Sequence, residues 1–302
     1  MSKENPKEPL VSVIIPCYNS SNTIKRALDS VIKQSYNNLE IIIIDDGSKD
    51  VDKTEEVINS FNDKRIIFIK HKKNKNGAAT RNSGIKIAKG EYMAFLDSDD
   101  EWHTNHIDET LSLALKNNYD LIYSQALVKT NNPDIVMPIN GIAPKQKISD
   151  YLFVQGGVIF TPTILVKSFL AKSVEFNEEL RRHQDYDFLL RCEVKNIKIG
   201  FTNKPTVIVH WENNDIKKKG GTWDFSLHFA KEYKNYFTSK AYSRFILKFV
   251  VLQLLEEKKR SKAIKLLITN TNLTHFSISN YYFIFSYLMF GKFKHPYKWR
   301  KQ

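Results

Sequence analysis

Residues 90–100 read GEYMAFLDSDD, an apolar stretch that runs directly into an acidic cluster. The apolar part, residues 92–96, predicts a buried β-strand that ends where the cluster at residues 97–100 begins. Mg²⁺ and Mn²⁺ are hard cations that prefer oxygen ligands, so Asp97 and Asp99 can address one divalent ion and a neighbouring ribose. Taken alone, residues 97–100 are as typical of an acidic turn or of a helix N-cap as they are of a metal site.

The sequence before this stretch alternates short apolar runs with amphipathic segments. The apolar runs predict three further strands, at residues 10–16, 39–44 and 66–70. Apolar residues at helical spacing predict three helices between them, at residues 23–34, 54–61 and 78–88. This order predicts an α/β fold in which a parallel sheet is covered by helices.

Polar residues follow three of the predicted strands at the point where each strand ends. They lie at residues 16–19, 45–48 and 97–100. Ligands of parallel α/β sheets bind beyond the carboxyl ends of the strands, so the three clusters together predict one binding site.

Three charged side chains near this edge suit a nucleotide. Asp45 and Asp46 can accept hydrogen bonds from a base N–H or from ribose hydroxyls, although Asp followed by Gly is also typical of a simple turn. Arg81, near the start of the predicted third helix, can contact a phosphate or a base. The alternative for Arg81 is an ordinary surface arginine.

The middle of the chain is less regular. It predicts strands at residues 121–128, 156–166 and 205–210, a loop over the site at residues 130–149, and a helix at residues 185–194. Asp185, at the start of that helix, can deprotonate an acceptor hydroxyl, and the alternative is a helix cap. His210 can ligate a metal or a phosphate, although a lone histidine is more often structural.

Charge and cysteine content narrow the class of protein. The formal net charge of +13 favours an anionic partner, without choosing among phosphates, nucleic acid and an acidic membrane surface. No apolar run reaches the roughly 18–20 residues that span a bilayer, and residues 278–290 come nearest. Cys17 and Cys192 form no CxxC motif, which fits a reducing cytoplasm, and the polar residues 1–9 do not resemble a signal peptide.

From residue 223 onward the pattern becomes helical. Residues 245–255 and 263–268 are strongly apolar with basic flanks, and residues 281–302 combine aromatic side chains with lysine and arginine but no acidic residue. Two interpretations stay open: a peripheral anchor on an anionic membrane, or a basic subdomain that packs on the rest of the protein.

The predicted domain organisation follows from these changes of pattern. It consists of a tail at residues 1–9, a catalytic domain at residues 10–222 and the helical region at residues 223–302. Within the catalytic domain, we expect a nucleotide-binding half at about residues 10–100 and an acceptor-binding half at about residues 101–222. The KKKGG stretch at residues 217–221 predicts a flexible, charged segment before the helices.

Five motifs in this order and spacing resemble glycosyltransferase family 2, the inverting enzymes with the GT-A fold. They are VIIPCYN at residues 13–19, EIIIIDDGS at 40–48, RNSG at 81–84, GEYMAFLDSDD at 90–100 and QDYDFLLR at 184–191. The resemblance extends over roughly residues 9–210. Each motif is weak alone, and the set is specific. The resemblance implies a Rossmann-like α/β fold with a mixed, mostly parallel sheet flanked by helices.

The resemblance implies a role for each matching residue. A UDP-sugar donor would be held by Pro16, Tyr18, Asn19, Asp45, Asp46, Arg81, Asp97 and Ser98. Asp99 would bind Mn²⁺ or Mg²⁺, with Asp97 and His210 as further candidate ligands. Asp185 would be the general base that activates the acceptor hydroxyl, and direct displacement would invert the anomeric carbon.

The resemblance also implies a setting. The acceptor would be a saccharide in the synthesis of a bacterial surface polysaccharide such as O-antigen or capsule. The basic, aromatic C-terminal region, which resembles a membrane-surface anchor, indicates that this acceptor is lipid-linked. The protein would work in the cytoplasm, at the inner face of the cytoplasmic membrane, and no nucleic-acid partner is expected.

The chain departs from the family pattern at two positions. Gln184 stands where the family often has Glu, which leaves Asp185 as the only carboxylate of that pair. The glycine before the Arg81 helix comes one place later than expected, with Asn76 in the usual position.

Two alternative functions have weaker support. A sugar-phosphate nucleotidyltransferase would need a loop rich in glycine and arginine after the first strand, and residues 16–21 have neither. A non-enzymatic nucleic-acid-binding protein is compatible with the charge, but the basic residues form no recognisable recognition helix or stacking motif.

Overall fold

A computed structural model describes residues 8–131, 133–211 and 222–290 of the chain. The nine strands among these residues all join one sheet. They are β1 Val11–Cys17, β2 Leu39–Asp45, β3 Ile66–Lys70, β4 Tyr92–Phe95, β5 Glu101–Trp102, β6 Leu121–Lys129, β7 Ile135–Met137, β8 Ile164–Lys167 and β9 Ile199–His210.

The helices of the described residues fall between and after these strands. They are α1 Ile24–Ile32, α2 Val51–Asn59, α3 Gly77–Ile87, α4 His106–Asn117, α5 Ile148–Phe153, α6 Ser168–Val174, α7 Gln184–Glu193, α8 Trp223–Glu232, α9 Ser239–Ile246, α10 Leu252–Glu256, α11 Arg260–Asn270 and α12 Ile278–Phe290. A π-helical turn over Leu247–Val251 joins α9 to α10.

The sheet has the strand order β3-β2-β1-β4-β8-β6-β9-β5, with β7 paired to β6 at one side. The first four strands of this order are parallel. Strand β8 is antiparallel to both β4 and β6, whereas β6 and β9 are parallel. This arrangement confirms the predicted mixed α/β sheet and brings the carboxyl ends of β1, β2 and β4 to one edge.

Burial explains why the central strands are apolar throughout. All seven residues of β2 are buried, because helices cover both faces of the sheet. Helix α1 buries Ile24, Ala27, Leu28 and Val31, a spacing that places them on one face. Each fully buried aliphatic side chain of this size contributes about 1.5–3 kcal/mol relative to exposure.

Helix α3 approaches the sheet unusually closely, and Gly84 is the reason. A Cβ atom at Gly84 would lie 2.6 Å from Ile14 Cγ2 and 3.0 Å from Ile44 Cδ1. Any side chain at this position would therefore push the helix away from β1 and β2.

Several predicted boundaries need correction. Residues 156–166 form a strand only from Ile164, because a 3₁₀ turn over Thr161–Thr163 holds Pro162, which has no N–H to donate. The loop predicted at residues 130–149 contains the short strand β7 and the first residues of α5. The last strand, β9, starts at Ile199 rather than at residue 205, and α4 and α6 were not predicted.

The chain divides into two compact units. Unit 1 comprises residues 1–141 and 159–214, and unit 2 comprises residues 142–158 and 215–302. The segment 142–158, which the sequence analysis assigns to the acceptor-binding half, thus groups with the C-terminal helices. Residues 1–7, the KKKGG stretch and the basic residues after 290 lie outside the described part of the chain.

Unit 2 is built on an aromatic cluster. Phe153 of α5 lies 5.3 Å from Phe237 and 5.1 Å from Phe245, measured between ring centroids. Thr238 donates a hydrogen bond of 2.5 Å to Asp150, and its backbone N–H donates to Ser149 Oγ at 3.2 Å. Helix α5 has only six residues, so these contacts, rather than its own propensity, stabilise it.

Candidate active site

The acidic cluster forms a turn directly after β4. The backbone N–H of Asp100 donates to Asp97 O at 3.0 Å and closes the turn. Arg26 of α1 donates to the backbone oxygen of Asp99, and Ser98 Oγ lies 2.8 Å from Ser20 Oγ. The β1–α1 connection thus fixes the turn from one side, and Arg26 was not predicted as a site residue.

The carboxylates of the turn lie in distinct environments. Asp97 pairs with the guanidinium of Arg81. Asp100 is buried and accepts a hydrogen bond of 2.9 Å from the backbone N–H of His210. Burial, followed by the charges of Asp97 and Asp99, raises the pKa of Asp100 to about 8, against the opposing effect of Arg26. The charges of Asp97 and Asp99 thus oppose ionisation of Asp100, and a cation bound at the turn would favour its ionised form.

The donor set fits a divalent cation whose remaining ligands come from a substrate. Among residues 8–131, 133–211 and 222–290, no group of three or more Asp, Glu, His or Cys side chains is arranged as a complete metal site. Mg²⁺ and Mn²⁺ commonly take one or two carboxylates together with phosphate oxygens, and Asp97 and Asp99 can supply that number. One ring nitrogen of His210 already has a partner, because Nε2 lies 2.9 Å from Glu101 Oε1.

The two aspartates after β2 have different hydrogen-bond partners. Asp45 Oδ1 accepts the N–H of Ser48 at 2.9 Å, while Asp45 Oδ2 is buried and has no hydrogen-bond partner among the described residues. Asp46 accepts the N–H groups of Lys75 and Asn76 at 2.9–3.1 Å and contacts His71. Asp45 thus keeps one acceptor that no described residue uses, whereas Asp46 holds the loop before α3.

His71 is a second residue that the sequence analysis missed. Its Nδ1 lies 2.8 Å from Asp46 Oδ1 and its Nε2 lies 2.9 Å from Ser83 Oγ on α3. The residue sits among lysines at positions 72, 73 and 75, a pattern that is typical of a solvated loop. No local signal distinguishes it.

The remaining predicted nucleotide contacts lie on the connection after β1. Pro16 pairs in register with Ile44 of β2, and Tyr18 is half exposed. Asn19 has a left-handed backbone and accepts the N–H of Lys49 on its side chain at 3.0 Å. These residues border the same edge of the sheet as Asp45.

Helix α3 starts with a cap that explains the departure at Asn76. This residue has φ 107°, a value that favours glycine, and its side chain accepts the N–H groups of Ala78 and Ala79. The cap hydrogen bonds compensate for the backbone conformation. The guanidinium of Arg81, one turn further on, reaches Asp97 and lies 5.5 Å from the ring centroid of Phe176.

Asp185 lies at the first turn of α7, close enough to Arg81 for the two charges to interact. Desolvation raises the pKa of Asp185, while the N–H of Tyr186 and the charges of Arg81 and Arg182 lower it. The neighbouring Gln184 donates to Leu180 O at 2.6 Å. The site therefore brings together Arg81, Asp97 and Asp185 from three different elements.

Helix α7 is anchored by a buried ion pair behind Asp185. Asp187 is fully buried, pairs with Arg191 one turn later and accepts the N–H of Asn177 at 3.2 Å. Arg191 also donates to the carbonyl oxygens of Val174 and Glu175. The helix start is thus fixed to the end of α6.

Comparison with known proteins agrees with this geometry. The model of the glycosyl transferase family 2 domain matches residues 12–171. The amylovoran biosynthesis glycosyltransferase AmsB of Erwinia amylovora is 35% identical over 243 residues, which cover 78% of this chain and 81% of that protein. The UDP-Glc:alpha-D-GlcNAc-diphosphoundecaprenol beta-1,3-glucosyltransferase WfgD of Escherichia coli is 40% identical over 123 residues, which cover 41% of this chain and 48% of that protein.

A solved structure shows the same fold. The crystal structure of S. aureus TarS 1-349 in complex with UDP-GlcNAc superposes with a TM-score of 0.70 at 19% identity, over 88% of this chain and 82% of that one. The predicted GT-A fold is therefore confirmed. Together, the family match and the relatives show that the chain belongs to glycosyltransferase family 2 and is a glycosyltransferase.

Proposed function

We propose that this glycosyltransferase transfers a sugar from a UDP-sugar to a hydroxyl of a saccharide acceptor, with inversion at the anomeric carbon. The observation that carries the proposal is the position of Arg81, which pairs with Asp97 and whose charge also lowers the pKa of Asp185. The guanidinium of Arg81 thus interacts both with Asp97, on the nucleotide side, and with Asp185, the candidate base. The UDP-sugar named in the TarS complex and in the WfgD name supports the donor class.

In this proposal the uracil base is read by Asp45. The ring N–H of uracil donates to the buried Asp45 Oδ2, which has no partner among the described residues. Pro16, Tyr18 and Asn19 border the base and ribose. Asp46 does not contact the nucleotide directly but positions the loop before α3, from which its oxygens already accept hydrogen bonds.

The diphosphate is placed between the Asp97–Asp99 turn and the start of α3. Asp99 and Asp97 would hold the divalent cation, Ser98 lies between them in sequence, and Arg81 would contact the nucleotide. When bound, Mn²⁺ or Mg²⁺ supplies positive charge that offsets the charge on the departing diphosphate. His210 is the weaker candidate ligand because its Nε2 lies 2.9 Å from Glu101 Oε1.

Asp185 accepts the proton of the acceptor hydroxyl as that oxygen attacks the anomeric carbon. The bond from the anomeric carbon to the diphosphate oxygen breaks, and its electron pair leaves with UDP. Because attack comes from the face opposite the leaving group, the configuration inverts. The raised pKa of Asp185 makes its carboxylate a better proton acceptor than an exposed aspartate.

The acceptor class follows from the relatives. AmsB is named for amylovoran biosynthesis, and WfgD for transfer to a sugar linked to diphosphoundecaprenol. We infer a saccharide acceptor on a lipid carrier, in the assembly of a bacterial polysaccharide. The enzyme would then work in the cytoplasm at the inner face of the membrane, with residues 10–100 binding the donor and unit 1 residues after 100 binding the acceptor.

Two variants separate the metal site from the base. Asp99→Asn should weaken UDP binding in the presence of Mn²⁺ at least about tenfold, since a charged ligand is lost. Asp185→Asn should leave UDP affinity nearly unchanged and lower transfer at least about a hundredfold. Asp52→Asn, at an exposed carboxylate of α2, is the matched control for both and should change neither.

The measurements are calorimetry with UDP, with and without Mn²⁺, and donor turnover across a panel of nucleotide-sugars. If the affinity for UDP changes neither on addition of Mn²⁺ nor in Asp99→Asn, the metal assignment is wrong. Full transfer by Asp185→Asn contradicts the base assignment.

The base contact has its own test. Cytosine carries an acceptor where uracil carries the ring N–H, so CDP should bind at least about tenfold more weakly than UDP. Equal affinity for the two nucleotides contradicts the assignment of Asp45.

A further inference from the structure

Helix α12 carries a continuous apolar stripe on its exposed side. The exposed fractions are 89% for Ile278, 62% for Tyr282, 56% for Phe285 and 59% for Met289. These positions follow one another at intervals of four, three and four residues, so they lie along one face of the helix. Single exposed apolar residues are ordinary, but a stripe along a whole helix marks an interaction surface.

The opposite face of α12 is buried within unit 2. Phe283 and Ile284 are each 7% exposed, and the side chain of Asn280 accepts the N–H of Ser277 at 3.0 Å and caps the helix start. The helix is therefore held in place by its own unit, with the stripe facing outward. Its composition also fits an interfacial position, because tyrosine combines an apolar ring with a polar hydroxyl.

The positive charge of the protein is concentrated in the same region. Residues 222–302 contain fifteen Lys and Arg but only four Asp and Glu, whereas residues 1–221 are close to balanced, with 31 against 29. From residue 258 to the end there are ten Lys and Arg and no acidic residue at all. The apolar stripe is thus bordered on both sides in sequence by cations.

The length of α12 decides its orientation on a lipid surface. The 13 described residues of α12 extend about 20 Å, which is shorter than the roughly 30 Å of a bilayer core, and the sequence after them continues with Gly291 and Lys292 rather than with an apolar run. Nowhere in the described residues is there a helix long and apolar enough to cross a membrane. A helix of this kind lies in the plane of the interface, with its apolar face at the boundary between the headgroups and the acyl chains.

We propose that the α12 stripe binds the surface of an anionic lipid bilayer, to which the cationic composition of residues 222–302 attracts the protein. This rests on the proposed function in one respect: a lipid-linked acceptor is presented at such a surface. A second copy of the chain is the other candidate occupant of the stripe. It is disfavoured because pairing through α12 brings two strongly cationic regions together.

The test compares vesicle binding of the full chain and of variants. The probes are phosphatidylcholine vesicles with and without about one third phosphatidylglycerol, read by flotation at low and high salt. The variant is Phe285→Gln with Met289→Gln, which changes only exposed positions and so leaves folding intact. The matched control is Phe169→Gln, an exposed phenylalanine of α6 in unit 1, 64% exposed.

We expect the chain to bind the anionic vesicles and to lose most of that binding at high salt, because headgroup attraction is screened. The double variant should bind at least about tenfold more weakly, and Phe169→Gln should bind like the unchanged protein. Equal binding by the double variant overturns the proposal. So does sedimentation that shows a dimer dissociated by the double variant while vesicle binding is unchanged.

Donor hydrolysis in vesicle-free buffer separates this proposal from the proposed function. The double variant should hydrolyse a UDP-sugar as fast as the unchanged protein, since α12 lies outside unit 1. Loss of vesicle binding with intact hydrolysis supports the membrane proposal alone. Hydrolysis absent from every protein tested counts against the proposed function and leaves the vesicle result to stand by itself.

Discussion

The imidazole of His71 and the carboxylate of Asp46 form a buried pair, with 2.8 Å between Nδ1 and Oδ1. The other ring nitrogen contacts Ser83 of α3, so the pair connects the end of β2 to the helix that carries Arg81. An Asp–His–Ser series at these distances also occurs in hydrolases. Here Ser83 Oγ donates to Ala79 O within its own helix at 3.0 Å, which favours a purely positional role.

Replacing His71 by Leu should destabilise the protein by about 2 kcal/mol, because the buried Asp46 carboxylate loses a partner. The loop at residues 71–76 should loosen as well, and UDP affinity should fall. Urea unfolding and calorimetry check the two effects. Lys72→Leu, at the exposed neighbouring position, is the control, and a shift of equal size in that variant would contradict the assignment.

Gly84→Ala should destabilise the protein by about 1–3 kcal/mol, because the new methyl group would lie 2.6 Å from Ile14 Cγ2 in a packed core. Lys86→Ala, at an exposed position of the same helix, should change stability by less than about 0.5 kcal/mol. Thermal unfolding of both variants checks this. If Gly84→Ala is as stable as the unchanged protein, α3 is less tightly packed than the structure indicates.

The rate of transfer should fall as the pH is lowered, and the midpoint of this fall should lie above the ordinary pKa range of an aspartate. Burial raises the pKa of Asp185, and only its deprotonated form accepts the hydroxyl proton. Removing the positive charge of Arg182, which lowers this pKa, should move the acid limb of the pH–rate profile to higher pH in Arg182→Gln. Arg182→Lys keeps the charge and should keep the profile, so equal shifts in both variants would refute an electrostatic cause.

His106 should make folding stability depend on pH below about 6.5. Burial lowers the pKa of this histidine to about 3, whereas the unfolded chain takes up the proton near 6.5. Its contribution is therefore present above pH 6.5 and is lost as the pH falls towards 3, by about 1.4 kcal/mol per pH unit. Urea unfolding of His106→Gln should show a free energy of unfolding that falls less steeply with decreasing pH, by that amount. An unchanged slope would mean that His106 is protonated in the folded protein.

The sequence was most informative where local chemistry decides the outcome. Apolar β-branched runs predicted β1, β2 and β3, and the polar residues at strand ends led directly to Asp45 and Asp97. The antiparallel insertion of β8 between β4 and β6 could not be predicted, because it depends on pairing between residues far apart in the chain. The local sequence pattern of a strand does not indicate which distant strand it pairs with.

The site shows the same division. Arg81 could be proposed from its position near the start of the predicted third helix, whereas His71 and Arg26 could not. Arg26 acts by donating to a backbone oxygen 73 residues away, a contact that no side-chain pattern encodes. Residues that hold other residues in place are found only once the chain is folded.

Unit 2 is assembled from two separate stretches of chain, and this affects how the protein can be divided. Removing everything after residue 222 would leave Tyr151, Leu152 and Phe153 of α5 without the helix that covers them. Such a truncated enzyme would expose the apolar side chains of α5 and would tend to aggregate. A chimera that exchanges the C-terminal helices between relatives must therefore exchange residues 142–158 with them.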